Sequence, residues 1–106
     1  MQKISFIAPY KPEKLLAVYA AGDSMIDEKI NDSDIAIFHP KQKEGNGIYV
    51  VSVGKSLLVK RINFNTKKKT ITLISANHDY KPRRYTGEEL KDIRIAGRVL
   101  ACIHRV

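Results

Sequence analysis

Apolar residues in this chain come only in short bursts, each closed by turn chemistry, and that punctuation leaves little choice of fold. Leu15–Ala21 is a strand-length run ended by Gly22-Asp23, and Asp34–Phe38 is another that stops before Pro40. Lys41–Gly47 is polar and carries Gly45-Asn46-Gly47, a stretch able to take positive φ. Ile48–Val53 is rich in β-branched residues and reads as a buried strand. Gly54-Lys55 reads as a two-residue hairpin turn with Ser56–Phe64 as its return strand. Asn65–Lys69 is a second turn and Thr70–Ala76 a further strand. Asn77–Thr86 reads as a polar loop around Pro82, and Ile93–Ile103 as a long last strand with a bulge at Gly97. Helical signal is thin. Ser24–Asn31 suits one or two turns, and Thr86-Gly87-Glu88-Glu89 has capping-box spacing ahead of only a few residues. The expectation is a mainly β, mostly antiparallel domain built of hairpins.

A chain of 106 residues has room for one domain and one modest core. Its hydrophobic share, 43%, is too high for a disordered polymer. The single cysteine, Cys102, excludes an internal disulfide framework and a cysteine-rich zinc site. No apolar run is long enough for a membrane helix, and Met1-Gln2-Lys3 leads into no secretory signal, so a reducing cytoplasm and no membrane partner are expected. The formal charge of +8 permits a polyanionic partner without requiring one.

The most informative strand is Ser56–Phe64. Alternation puts Leu57, Val59, Arg61 and Asn63 on one face and Ser56, Leu58, Lys60, Ile62 and Phe64 on the other. Lys60 therefore falls between Leu58 and Ile62. An apolar setting disfavours the ammonium, and a neutral amine can take a proton from a nucleophile. The competing reading is a lysine whose methylenes run along apolar surface while its charge stays in water. Ser24, on the Gly22-Asp23-Ser24-Met25 turn, is the complementary residue. It either caps a short helix or projects its hydroxyl beside main-chain N–H groups that could hold an oxyanion.

These segments together resemble a known family. Ala21-Gly22-Asp23-Ser24-Met25 resembles the nucleophile motif of the LexA/UmuD/phage-repressor group of Ser-Lys peptidases, the S24 family. Leu58-Val59-Lys60-Arg61 resembles its lysine motif, at a fitting separation. Gly47–Val51, Leu73-Ile74-Ser75-Ala76-Asn77 with Tyr80, and Ile95-Ala96-Gly97-Arg98-Val99 resemble its supporting segments, in order. The resemblance implies a LexA-like C-terminal domain with one short helical turn after the nucleophile. It implies Ser24 as nucleophile, Lys60 as neutral general base, and the Asp23 and Ser24 N–H groups as oxyanion hole, with no cofactor or metal. It also implies a homodimer that cuts a bond in its own N-terminal linker and reaches DNA through an N-terminal domain outside residues 1–106. Two departures stand out: Ile26-Asp27 occupies the place where a proline commonly follows the nucleophile motif, and Ser33 replaces a turn glycine. Ala21-Gly22 belongs to the nucleophile motif and is not read as the scissile bond.

Two alternatives of different kinds remain: a catalytically silent dimerisation or sensing module, and a basic nucleic-acid-binding β domain using Lys67-Lys68-Lys69 and Arg83-Arg84. His39, His78 and His104 share no ligand spacing. Cys102 reads as a core residue. Asn77-His78-Asp79 supplies the residue types of a triad without its geometry.

Overall fold

Two tight turns fix the middle of the sheet, and the rest is built outward from them. The computed structural model describes residues 2–3, 15–20, 25–26 and 30–104. Among the described residues there are eight strands: β1 Gln2–Lys3, β2 Leu16–Tyr19, β3 Ile35–His39, β4 Gly47–Val53, β5 Ser56–Asn65, β6 Thr70–Ile74, β7 Arg83–Thr86 and β8 Ile93–Ile103. They form one sheet in the order β1-β2-β3-β8-β4-β5-β6-β7. Every pairing among the described residues is antiparallel, which is the fold class read from the turns. Val53 pairs with Ser56 across Gly54-Lys55, and Gly54 has φ +59°, as a two-residue hairpin requires at its first position. Asn65 pairs with Thr70 across the lysine-rich turn. The helical turn expected over Ser24–Asn31 is described only in part: Met25 and Ile26 lie in a turn, and Ile30 N–H reaches the Met25 carbonyl at 3.2 Å.

β4 sits between β5 and β8, so both of its edges are paired, and a core cluster packs on each of its faces. Its alternate residues feed different cores. Ile48 and Val50 pack with Ala20, Met25, Ile30, Phe38 and Val59. Tyr49, Val51 and Val53 pack with Ile62, Leu73, Tyr85 and Ile93. Burial on two sides explains why Ile48–Val53 is almost continuously apolar instead of alternating. A third cluster, Leu15, Ala17 and Ile37, lies under the β2–β3 pair.

Three expectations need correction. The segment Asn77–Thr86 is a loop only as far as Pro82, because Arg83–Thr86 is a strand paired with β6. Tyr85 is buried there between exposed neighbours, with the Arg83 guanidinium 4.8 Å from its ring. The paired arginines hid that period of two. The last strand is irregular on either side of Gly97 and not at it: the registers on β4 and β3 skip Ala96 and Leu100. Cys102 is exposed, since β8 runs past the edge of the core before it ends. Shielding by neighbouring atoms and then repulsion from Asp34 push its thiol pKa above the ordinary value.

Ser33, in place of the turn glycine, has φ +71°, and its N–H is bonded to the Ala20 carbonyl at 2.8 Å. A side chain in the left-handed region costs roughly 1–2 kcal/mol. Glycine would remove that cost, while its extra unfolded-state freedom takes back about 0.5–1 kcal/mol. Ser33→Gly is therefore expected to raise the melting temperature by about 2–4 °C, read by circular dichroism. A lower melting temperature would show the turn to be unstrained.

Candidate active site

Register places Lys60 before any side-chain argument is needed. Counting from the Gly54-Lys55 turn, Lys60 stands opposite Tyr49. Counting from the second turn, Arg61 stands opposite Ile74, so the next step along β5 brings Lys60 level with Ser75, one residue beyond β6. Lys60 is half-buried, and Leu58 and Ile62 on its face pack into the second core, as the alternation requires. Its Nζ donates to Ser75 Oγ at 2.8 Å and lies 5.5 Å from the centre of the Tyr80 ring. A hydrogen bond at that length fixes where the amine ends, which a solvated lysine would not do.

The residues around this amine are held by the 75–80 segment. Ala76 N–H donates to Met25 Sδ at 3.3 Å, and Met25 is itself 3% exposed in the first core. Asn77 is buried, and its Oδ1 accepts the Asp79 N–H at 3.0 Å. Tyr80 N–H donates to the Asn77 carbonyl at 3.0 Å, which closes a turn that sets the Tyr80 ring near Lys60. Consecutive residues thus have separate duties: Ser75 meets the lysine, Ala76 latches Met25, and Asn77 shapes the turn. Met25 is the residue that follows Ser24 in the chain. Ser24 and Asp23 themselves lie outside the described residues.

The other residues singled out in the sequence do not converge here. His78 and Asp79 form an exposed pair at 3.3 Å. His39 Nδ1 accepts the Lys41 N–H at 3.1 Å. Cys102 is at the far end of β8. A contact with no signature in the sequence joins His104 to Asp34: Nδ1 and Oδ1 are 2.9 Å apart, and Asp34, 1% exposed, also accepts the Asn31 N–H at 2.8 Å. It extends the Ile35–Ile103 register by one step and ties down the entry to β3. Seventy positions separate the two residues, so only the strand pairing reveals it. No helix among the described residues is long and apolar enough to cross a membrane.

A family profile described as Peptidase S24-like matches residues 2–100. The chain is 36% identical over 89 residues to a LexA repressor of Ruegeria sp. (strain TM1040), a match covering 82% of this chain and 35% of that protein. It is 32% identical over 90 residues to a LexA repressor of Desulfatibacillum aliphaticivorans, covering 85% and 44% respectively. It is 34% identical over 97 residues to an uncharacterized HTH-type transcriptional regulator of Haemophilus influenzae, covering 89% and 39%. The chain therefore spans less than half the length of these curated relatives.

Proposed function

Because the chain belongs to the S24 peptidase family, we propose that it is the self-cleaving and dimerising domain of a repressor-type transcriptional regulator, with Ser24 as nucleophile and Lys60 as general base. The observation that supports this reading is that adjacent residues hold Lys60 and the residue that follows Ser24 in the chain. Ser75 holds the Lys60 amine, and Ala76 holds Met25, the chain neighbour of Ser24.

In this mechanism the Ser24 hydroxyl attacks the carbonyl carbon of a peptide bond in the protein's own N-terminal linker. Its proton passes to the neutral Lys60 amine as the bond to carbon forms. The Asp23 and Ser24 main-chain N–H groups receive the oxyanion of the tetrahedral intermediate. Collapse expels the amine, which takes the proton back from the Lys60 ammonium and leaves an acyl ester on Ser24. Lys60 then deprotonates a water that hydrolyses the ester. The mechanism calls for an uncharged amine between steps, on the strand face that Lys60 shares with Leu58 and Ile62, and for the Tyr80 ring to attract the ammonium once it has formed. Because the base must be uncharged, cleavage rises with pH. The test is the full-length natural protein incubated from about pH 7 to about pH 10 and followed by gel electrophoresis. Two fragments that accumulate faster in alkali and vanish in Ser24→Ala are expected. An intact chain at every pH, or fragments from Ser24→Ala, would overturn the peptidase reading.

For dimerisation we propose one surface. Tyr19, Ile35 and Ile103 stand opposite one another across β2, β3 and β8, and Tyr19 and Ile103 are 58% and 47% exposed. Such a row offers a second copy apolar area that water does not favour. A dimer would let DNA-binding parts of the whole protein grip two half-sites, in keeping with the repressor names of its longer relatives. Ile103→Glu is expected to shift the chain from dimer to monomer in sedimentation at micromolar concentration. A monomeric wild type would count against this surface.

A further inference from the structure

We propose that the open face of β5, β6 and β7 carries a docking site for the phosphate backbone of DNA, separate from the candidate active site and independent of the peptidase reading. A hollow of about 310 Å³ lies at the end of this face, beside the lysine-rich turn. Asn63, Thr72 and Arg84 stand opposite one another on three neighbouring strands, so their side chains share this face. Asn46, Phe64, Asn65, Lys68 and Thr70 complete the rim, and no carboxylate among the described residues lines it.

The hydrogen bonds around the hollow turn it into a set of donors. Asn46 Oδ1 accepts the Phe64 N–H at 3.0 Å, and Asn65 Oδ1 accepts the Lys68 N–H at 3.0 Å. A main-chain N–H can only donate, so each carboxamide oxygen already has a donor and each NH₂ keeps its own capacity to donate. The Lys68 ammonium and Arg84 guanidinium add charged donors, and neither forms an ion pair among the described residues. Donors of this kind fit an oxygen-rich anion. The flat placement selects the partner. An acidic peptide would be read through main-chain bonds along the edge of β7, whereas side chains standing on a face suit phosphates presented along a nucleic-acid backbone. The one aromatic at the rim, Phe64, is committed to an edge-on contact with Tyr49 at 5.8 Å. The site therefore grips backbone without reading bases. A charge of +8 on the whole chain works in the same direction.

The test is fluorescence anisotropy of the 106-residue chain with a labelled DNA duplex of arbitrary sequence, across salt from about 25 to about 200 mM. Binding is expected to weaken steeply with salt. Lys68→Gln/Arg84→Gln, both at exposed positions, should lose about tenfold or more in affinity at low salt and flatten the salt slope by about two. Lys41→Gln/Lys55→Gln removes the same charge elsewhere and should cost less than about threefold. Equal losses in the two double variants would overturn the site. Absence of salt-dependent binding would do so too, and a labelled poly-glutamate that binds as tightly as the duplex would overturn the choice of DNA.

Discussion

Gly97→Ala is expected to lower the melting temperature by about 10 °C or more, the largest loss of stability from adding one carbon. A Cβ at this position would lie 2.3 Å from the His39 carbonyl oxygen and 2.8 Å from Cδ2 of the Phe38 ring. The first neighbour is backbone and the second belongs to a core side chain 1% exposed, so neither can swing aside. Relief would require β8 to move away from β3 between the two places where its register already slips. Overpacking of this kind costs about 1–3 kcal/mol, and backbone obstruction places it at the upper end. Alanine's smaller unfolded-state entropy returns at most about 1 kcal/mol. At roughly 4–8 °C per kcal/mol for a chain of this size, the net loss is easily read by thermal circular dichroism. A shift of only a degree or two would mean that β3 and β8 are not so closely joined.

Lys60→Met in the full-length natural protein is expected to reduce self-cleavage by about 10²–10⁴-fold, the range associated with losing a positioned general base. Methionine keeps an unbranched apolar stem on the face shared with Leu58 and Ile62 while removing the proton acceptor. The fold should survive, since Lys60 is half-buried and contributes its methylenes and not a core side chain. Ser75→Ala removes the hydroxyl that Nζ reaches at 2.8 Å and leaves the amine in place, so a smaller loss is expected. Rescue by Ser75→Thr, which restores a hydroxyl, separates positioning from packing. Cleavage rates from the same gel assay order the variants. Lys60→Met at wild-type rate would remove the lysine from the mechanism.

Much of this geometry is legible from turns. Gly54-Lys55 and Asn65–Lys69 set two registers, and counting along β5 from each puts Lys60 between Tyr49 and Ser75. The Ser75 contact escapes a reading of β5 alone because it belongs to the neighbouring strand's end, where alternation has already stopped. The proposed pairing of Lys60 with Ser24 rests on motif resemblance, since period two locates the lysine's face but names no nucleophile. Arg83–Thr86 is obscured for a different reason: Arg83, on the same face as Tyr85, is exposed, so Tyr85 looks like a lone aromatic in a polar loop. Cys102 misled in the opposite sense, because alternation with Ala101 and Ile103 implies packing only where a core continues beneath the strand. The Met25–Ala76 latch joins residues 51 positions apart through a sulfur acceptor, a contact that neither composition nor periodicity encodes.

Mass spectrometry of the 106-residue chain after exposure to a fluorophosphonate at mildly alkaline pH tests the Ser24–Lys60 partnership most directly, since the reagent marks only an activated hydroxyl and needs no linker to cut. One adduct is expected, on the peptide that carries Ser24, and it should disappear in Lys60→Met. A wild-type chain that takes up no reagent, or a Lys60→Met chain labelled as fully as wild type, would contradict the partnership.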